Sequence, residues 1–266
     1  YASFPGYASV CEGVGGLRFV NGLPGQVPMR PNLSLGDTLA GIHAALGIVL
    51  ALFDRERRNP ARGQTIDVAI TESVFNCLEA VVPEYDRFGL VRGPSGSTIT
   101  GIVPTNAYPT RDSKHVILGA NGESLYKRLM RAVDREDLAL DPRLQNNAGR
   151  VEHQAEIDGA ITAWTQRRTA EEILVVMRAA DVPAGLIYNV ADMFADPQFQ
   201  ARALFEEVAT PTGPLKIPAI LPKLTDTPGR TDWAGPAVGA HNHEIFGERL
   251  GLSEDEIAAL AQRGVI

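Results

Sequence analysis

The chain has 266 residues, 44% of them hydrophobic, with a formal charge of -7 and a pI of about 5.3. That is enough apolar material for one large core or two modest ones. With no basic cluster longer than Arg55–Arg58, it lacks the basic face of a nucleic-acid partner. The opening shows no basic segment followed by an apolar one, and the run Leu46–Phe53 is too short to span a bilayer, so no membrane association is expected and the cytoplasm is the default location. Cys11 and Cys77 are expected as reduced core residues rather than a disulfide.

In chain order, Tyr1–Gly25 is rich in Gly and Pro and starts without Met or an element-starting signal. Its apolar positions find no partner within the segment, so the natural domain is expected to begin upstream. Asn21–Pro31 reads as a loop punctuated by Gly and Pro. Leu33–Arg58 then carries Leu39, Ile42, Leu46, Val49, Leu50 and Phe53 at helical spacing, with small residues between them, and predicts a closely packed, mostly buried helix. Gln64–Ile70 alternates as a strand, and Thr71–Val82 reads as a helix stopped by Pro83. Gly89–Gly101 is a polar, glycine-containing connection and the expected domain boundary.

Thr105–Pro109 and His115–Gly119 are predicted strands joined by a turn through Arg111-Asp112-Ser113. Helices follow at Glu123–Val133, Val151–Gln166 and Thr169–Ala180, the last opened by a capping box of Thr169 and Glu172. Leu186–Tyr188, Phe205–Val208 and Leu215–Ile217 lie among prolines that exclude a central strand, which makes them edge strands or extended arms. His241–Leu250 and Ser253–Gln262 end the chain as helices, with a second capping box at Ser253 and Glu256.

The candidate chemistry centres on Gly36-Asp37. Asp is a favoured N-cap, and Ser34 with Asp37 fits a capping box, so capping alone accounts for the residue. A carboxylate there also sits beside unpaired N–H groups and the positive end of the helix dipole, which favours its anionic form and suits a nucleophile. Glycines at Gly96 and Gly101, and again at Gly119 and Gly122, could admit an anionic ligand to backbone amides or could serve as plain turns. His241-Asn242-His243-Glu244 has no further ligand at fitting spacing, and no metal site is expected.

Several ordered blocks, among them FPGYASVCEGVGGL, LGDTLAGIHAALGIVLALFDRERR, RGQTIDVAITESVFN, DPRLQNNAGRVEHQAEID and VPAGLIYNVADMFADPQFQAR, resemble family III CoA-transferases over nearly the whole chain. The resemblance implies an α/β fold: an incomplete Rossmann-like large domain with an inserted α+β small domain, in an intertwined homodimer. Residues 1–90 would belong to the large domain, 91–185 to the small one, and 186–266 to an arm and helices returning to the large one, with Ala209–Pro222 as an extended wrapping segment. It further implies that Asp37 attacks an acyl-CoA thioester and that coenzyme A passes to a carboxylic acid, with no permanently bound cofactor. Amides near Gly36 and the start of its helix would stabilise the developing oxyanion. Tyr7 matches an active-site tyrosine of the formyl-CoA branch, and Gly96–Gly101 a loop that closes over the intermediate.

Three departures follow. Ala8 stands where the family often has an acid, which alters the expected substrate contacts, and the loop Ser95–Gly101 is less glycine-rich than in the formyl-CoA branch, which points away from formate and oxalate; dicarboxylates with succinyl-CoA as donor are the expected acids. A segment on the order of a hundred residues that carries most CoA contacts in the family is missing before Tyr1. Two other readings compete. Related racemases exchange an α-proton, but they use a His at the position of Tyr7, whose phenol is a poor general base near neutrality. The third is a non-catalytic subunit that needs a complementing chain.

Overall fold

In the computed structural model, which describes residues 3–266, the opening is not loop throughout: Ala8–Val14 forms α1 and Leu17–Val20 forms α2. The long helix α3 spans Leu35–Arg57. At its end Arg58 donates its N–H to the Asp54 carbonyl (3.2 Å) and pairs with the Asp54 carboxylate (2.7 Å), immediately before Asn59-Pro60.

The expectation of a mostly buried helix is overturned. Gly36 is the one buried residue of α3, while Ile42, Leu46, Val49, Leu50 and Phe53 are 56–62% exposed. Its neighbours are α1, the segment 61–69 and α4 (Ile70–Asn76), which approach along Gly36 and Gly47. Nothing among the described residues covers the remaining apolar face. Leu35–Arg57 is also long and apolar enough to cross a membrane by length and composition, which the short run Leu46–Phe53 did not suggest; core helices of soluble proteins pass the same test.

Gln64–Ile70 is not a strand. Alternation supplies a face, but a ladder needs a neighbour, and this segment pairs with none among the described residues. Ile66 instead lies against α3, where a β-carbon on Gly47 would come within 2.8 Å of its Cγ2. Thr71–Val82 is likewise two elements: α4 ends at Asn76 and α5 runs Val81–Phe88. Pro83 starts rather than stops a helix, because in the first turn its missing N–H has no intrahelical acceptor to lose. Neither cysteine is a core residue; both are free, Cys11 half-buried and Cys77 exposed.

The well-packed core lies further on. Strands β1 (Thr105–Pro109) and β2 (His115–Gly119) pair antiparallel from Thr105↔Gly119 to Pro109↔His115, and β3 (Ala184–Leu186) joins β2 on its other side. Val116 and Leu118 face inward, fully buried, while Ile117 faces out at 44% exposure, as the period-2 pattern requires. Over the inner face pack α6 (Glu123–Ala132), α7 (Glu136–Leu140), α8 (Asn147–Glu152), α9 (Gln154–Thr165) and α10 (Ala170–Ala179). The predicted helix Val151–Gln166 is therefore α8 and α9, divided at His153. Leu129, Met130, Ile157, Ile161, Ile173 and Met177 are fully buried here, each contributing roughly 1.5–3 kcal/mol over exposure.

The chain divides into two units between Ile187 and Tyr188. In the second unit, α11 (Val190–Ala195) carries an Asn189/Asp192 capping box and α12 (Pro197–Ala201) is capped by Asp196. β4 (Phe205–Thr210) and β5 (Gly213–Pro218) form a two-stranded hairpin from Phe205↔Pro218 to Thr210↔Gly213. Ala209–Pro222 is thus not an extended arm: it turns at 211–212 and β5 pairs back. Both strands are edges, where prolines are tolerated. The helix expected at His241–Leu250 is a π-helix at His243–Arg249, and α13 spans Glu254–Gln262 with the expected Ser253/Glu256 box.

Candidate active site around Asp37

Asp37 is exposed in the first turn of α3, one residue after the buried Gly36. The expected Ser34/Asp37 capping box does not form, and Ser34 makes no side-chain cap bond. The backbone explains the failure. Thr169 and Ser253, which do cap, are extended at ψ 160° and 159°, whereas Ser34 sits at φ -81°, ψ 61°.

The cap comes from another element. Glu12 of α1 is fully buried, and its Oε1 accepts the Gly36 N–H at 3.1 Å. Arg30, from the loop before α3, donates from Nη2 to Oε1 (3.4 Å) and places Nε 2.9 Å from Oε2, an ion pair rather than an aligned hydrogen bond. Arg18 of α2 adds a more distant contact, 3.8 Å from Oε2. Burial opposes ionisation of Glu12, but the Gly36 N–H, Arg30 and Arg18 outweigh it and hold the carboxyl below its ordinary range. Gly36 has no room for a larger residue, since a β-carbon would stand 3.0 Å from both Glu12 Cγ and Ile70 Cγ2.

This arrangement joins α1, through its fifth residue, to the start of α3. Tyr7 heads α1, its carbonyl accepting the N–H groups of Val10 (2.9 Å) and Cys11 (3.1 Å), with its side chain 84% exposed. Tyr7, at the head of α1, and Asp37, in the first turn of α3, are both exposed and stand on helices tied together through Glu12. Gly96 and Gly101 are anchored differently. Gly96, at φ +70°, donates its N–H to the Gly22 carbonyl (2.9 Å), and Gly101, at φ +82°, accepts from Asn147 Nδ2 (2.7 Å). Between them, the Ser97 hydroxyl bonds Asn106, which reaches Asp158 (3.3 Å), itself bonded by the Tyr108 hydroxyl (2.6 Å).

Of the amides near the start of α3, that of Gly36 is engaged by Glu12. Sequence reasoning missed Glu12 because α1 itself was not predicted; an acid within the apolar, glycine-rich SVCEGVGG was the available signal. A cleft of about 630 Å³ lies apart from this chemistry beside Trp164, Asp134 and Arg168. There Arg168 stacks on Trp164 at 3.9 Å and Asp134 accepts the indole N–H at 3.1 Å, so the charges are matched locally. Among the described residues no cluster of His, Cys, Asp or Glu has the geometry of a metal site.

The model of CoA-transferase family III matches residues 1–242. The chain is 41% identical over its whole length to the succinyl-CoA–D-citramalate CoA-transferase of Chloroflexus aurantiacus, covering 66% of that protein. It is 29% identical to the succinate–glutarate CoA-transferase of Agrobacterium fabrum, over 93% of this chain and 62% of that one. Among solved structures, a CAIB/BAIF family protein from Brucella suis superposes with a TM-score of 0.74 at 27% identity, over 93% of this chain and 64% of that chain. The chain thus spans just under two thirds of the length of these relatives.

Proposed function

This chain belongs to CoA-transferase family III, and on that basis we propose that it carries the nucleophile of an enzyme that moves coenzyme A from an acyl-CoA to a carboxylic acid. The observation that carries the reading is an exposed carboxylate, Asp37, in the first turn of a helix whose preceding residue is clamped to the helix headed by Tyr7. Asp37 attacks the thioester carbonyl, forming an aspartyl mixed anhydride and releasing CoA thiolate. The thiolate attacks the aspartyl carbonyl, the donor acid leaves, and CoA rests on Asp37 as a thioester. The acceptor carboxylate then attacks that thioester, and the thiolate, freed again, takes the acyl group from the new anhydride and restores Asp37.

Relatives whose names specify succinyl-CoA with citramalate, or succinate with glutarate, support succinyl-CoA as donor and a short dicarboxylic acid as acceptor. The reading carries with it a cytoplasmic location and a homodimer, the latter supported by the apolar face of α3 that the described residues leave uncovered. It also carries the division of the chain expected from its sequence.

The test is trapping. The full chain that carries this sequence is mixed with succinyl-CoA and quenched with hydroxylamine, and peptides are analysed by mass. A hydroxamate on Asp37, lost together with on the order of 10³-fold or more of kcat in Asp37→Ala, is expected. Labelling elsewhere, or an active Asp37→Ala variant, refutes it.

A further inference from the structure

Among the described residues the buried charged side chains are Glu12 and Arg150. Arg150 sits in the dense core, surrounded by carbonyls. Glu12 lies where few side chains are buried: in the first hundred described residues, Ser73 and Val74 are the other buried side chains beyond glycine. An ionised carboxylate is costly to withdraw from water unless its partners are well placed. Its partners here are the N–H of Gly36, the residue before Asp37, and the guanidinium groups of Arg30 and Arg18.

We propose that Glu12 is a positioning residue for Asp37: it caps α3 from α1, in place of the missing Ser34 cap, and thereby fixes the direction of the nucleophile relative to Tyr7. The geometry has three parts. Oε1 takes the Gly36 N–H at 3.1 Å, across 24 residues of sequence. Arg30 grips the same carboxylate from the loop that delivers the chain to α3, which joins α1, that loop and the helix start at a single group. A β-carbon on Gly36 would stand 3.0 Å from Glu12 Cγ and from Ile70 Cγ2, so glycine is what lets the first turn of α3 come this close to Glu12. A chemical consequence is that the Gly36 amide cannot also stabilise a tetrahedral oxyanion, so that task falls to other donors.

This inference rests on Asp37 being the nucleophile, and the experiment separates the two. In the full chain that carries this sequence, Glu12→Ala and Glu12→Gln are compared with wild type for kcat and KM with succinyl-CoA and citramalate, alongside hydroxylamine trapping. Misplacing a reacting group by about 1 Å costs on the order of 100-fold, so Glu12→Ala should lose about that much kcat while KM for succinyl-CoA stays within about twofold. Glu12→Gln keeps an acceptor for Gly36 but not the charge for Arg30, and should lose about tenfold or less. Should Glu12→Ala not fold, Glu12→Gln decides alone: a severalfold loss of kcat at constant KM supports positioning.

Three results overturn it. Variants that keep wild-type kcat while wild type labels at Asp37 remove the role of Glu12 alone. Losses of kcat matched by rises in KM assign Glu12 to the fold only. A wild-type enzyme that is not labelled at Asp37 removes the nucleophile and the positioning residue together.

Discussion

Replacing Arg150 by Met tests the account of the core most severely. Arg150 is 1% exposed and forms no ion pair among the described residues. Its Nε donates to the Val103 carbonyl at 3.0 Å, Nη1 to Leu144 at 3.1 Å and Nη2 to Asn121 at 2.5 Å, and its guanidinium lies 4.9 Å from the centre of the Tyr126 ring. Burial lowers its proton affinity, with the Tyr126 and Glu123 charges opposing.

Hydrogen bonds to a charged group contribute about 1.5–3 kcal/mol each. Removing the cation leaves three carbonyls without a donor but relieves a desolvation penalty of several kcal/mol. The carbonyls win, because Met offers them nothing and Arg150 serves three separate segments at once. The expected net loss is about 3–5 kcal/mol. At about 2–4 °C per kcal/mol for a unit of this size, the midpoint should fall by at least about 6 °C. The assay is urea and thermal unfolding followed by fluorescence of Trp164, 7% exposed in this core, after the exposed Trp233 is changed to Phe. Arg150→Lys, which can reach only part of the carbonyl set, should fall between. An Arg150→Met variant within about 1 kcal/mol of wild type would show that the carbonyls find other donors, and would refute the reasoning.

Two further outcomes follow from the same geometry. A β-carbon on Gly149 would stand 1.9 Å from the Arg143 carbonyl oxygen, so Gly149→Ala should destabilise by about 2–3 kcal/mol or more, read from the same urea midpoint. The Glu12 carboxyl is held below its ordinary value of 4.5 in the folded chain, so its contribution to stability is present above that range and is lost as pH falls through the folded value. The gap in thermal midpoint between wild type and Glu12→Gln should therefore be open at neutral pH and close under acid; a gap that does not change with pH would refute the pairing with Arg30 and Gly36.

Local chemistry was legible wherever it was self-contained. β1 and β2 match their predicted bounds because alternation, a turn and buried partners agree within fifteen residues. The Thr169/Glu172 and Ser253/Glu256 boxes form because each completes itself over three residues. Ser34 and Asp37 carry the same pattern and fail, because the loop held by Arg30 and Glu12 sets Ser34 outside the extended conformation that a cap needs. The strand expected at Gln64–Ile70 and the burial expected of α3 fail for a related reason. Each is a property of a pair of surfaces, and one segment's pattern declares only its own half.

What the sequence by itself determined was the family, the helix bearing Asp37, and the order of the elements in the small core. These depend on periodicity, turn residues and ordered blocks that survive without coordinates. Only the tertiary structure decided that Glu12, 25 residues before Asp37, supplies the cap that Ser34 does not, and that the Gly36 amide is already engaged. A bond between residues far apart in sequence leaves no local signature, since it exists only once α1, the loop and α3 have been brought to one point.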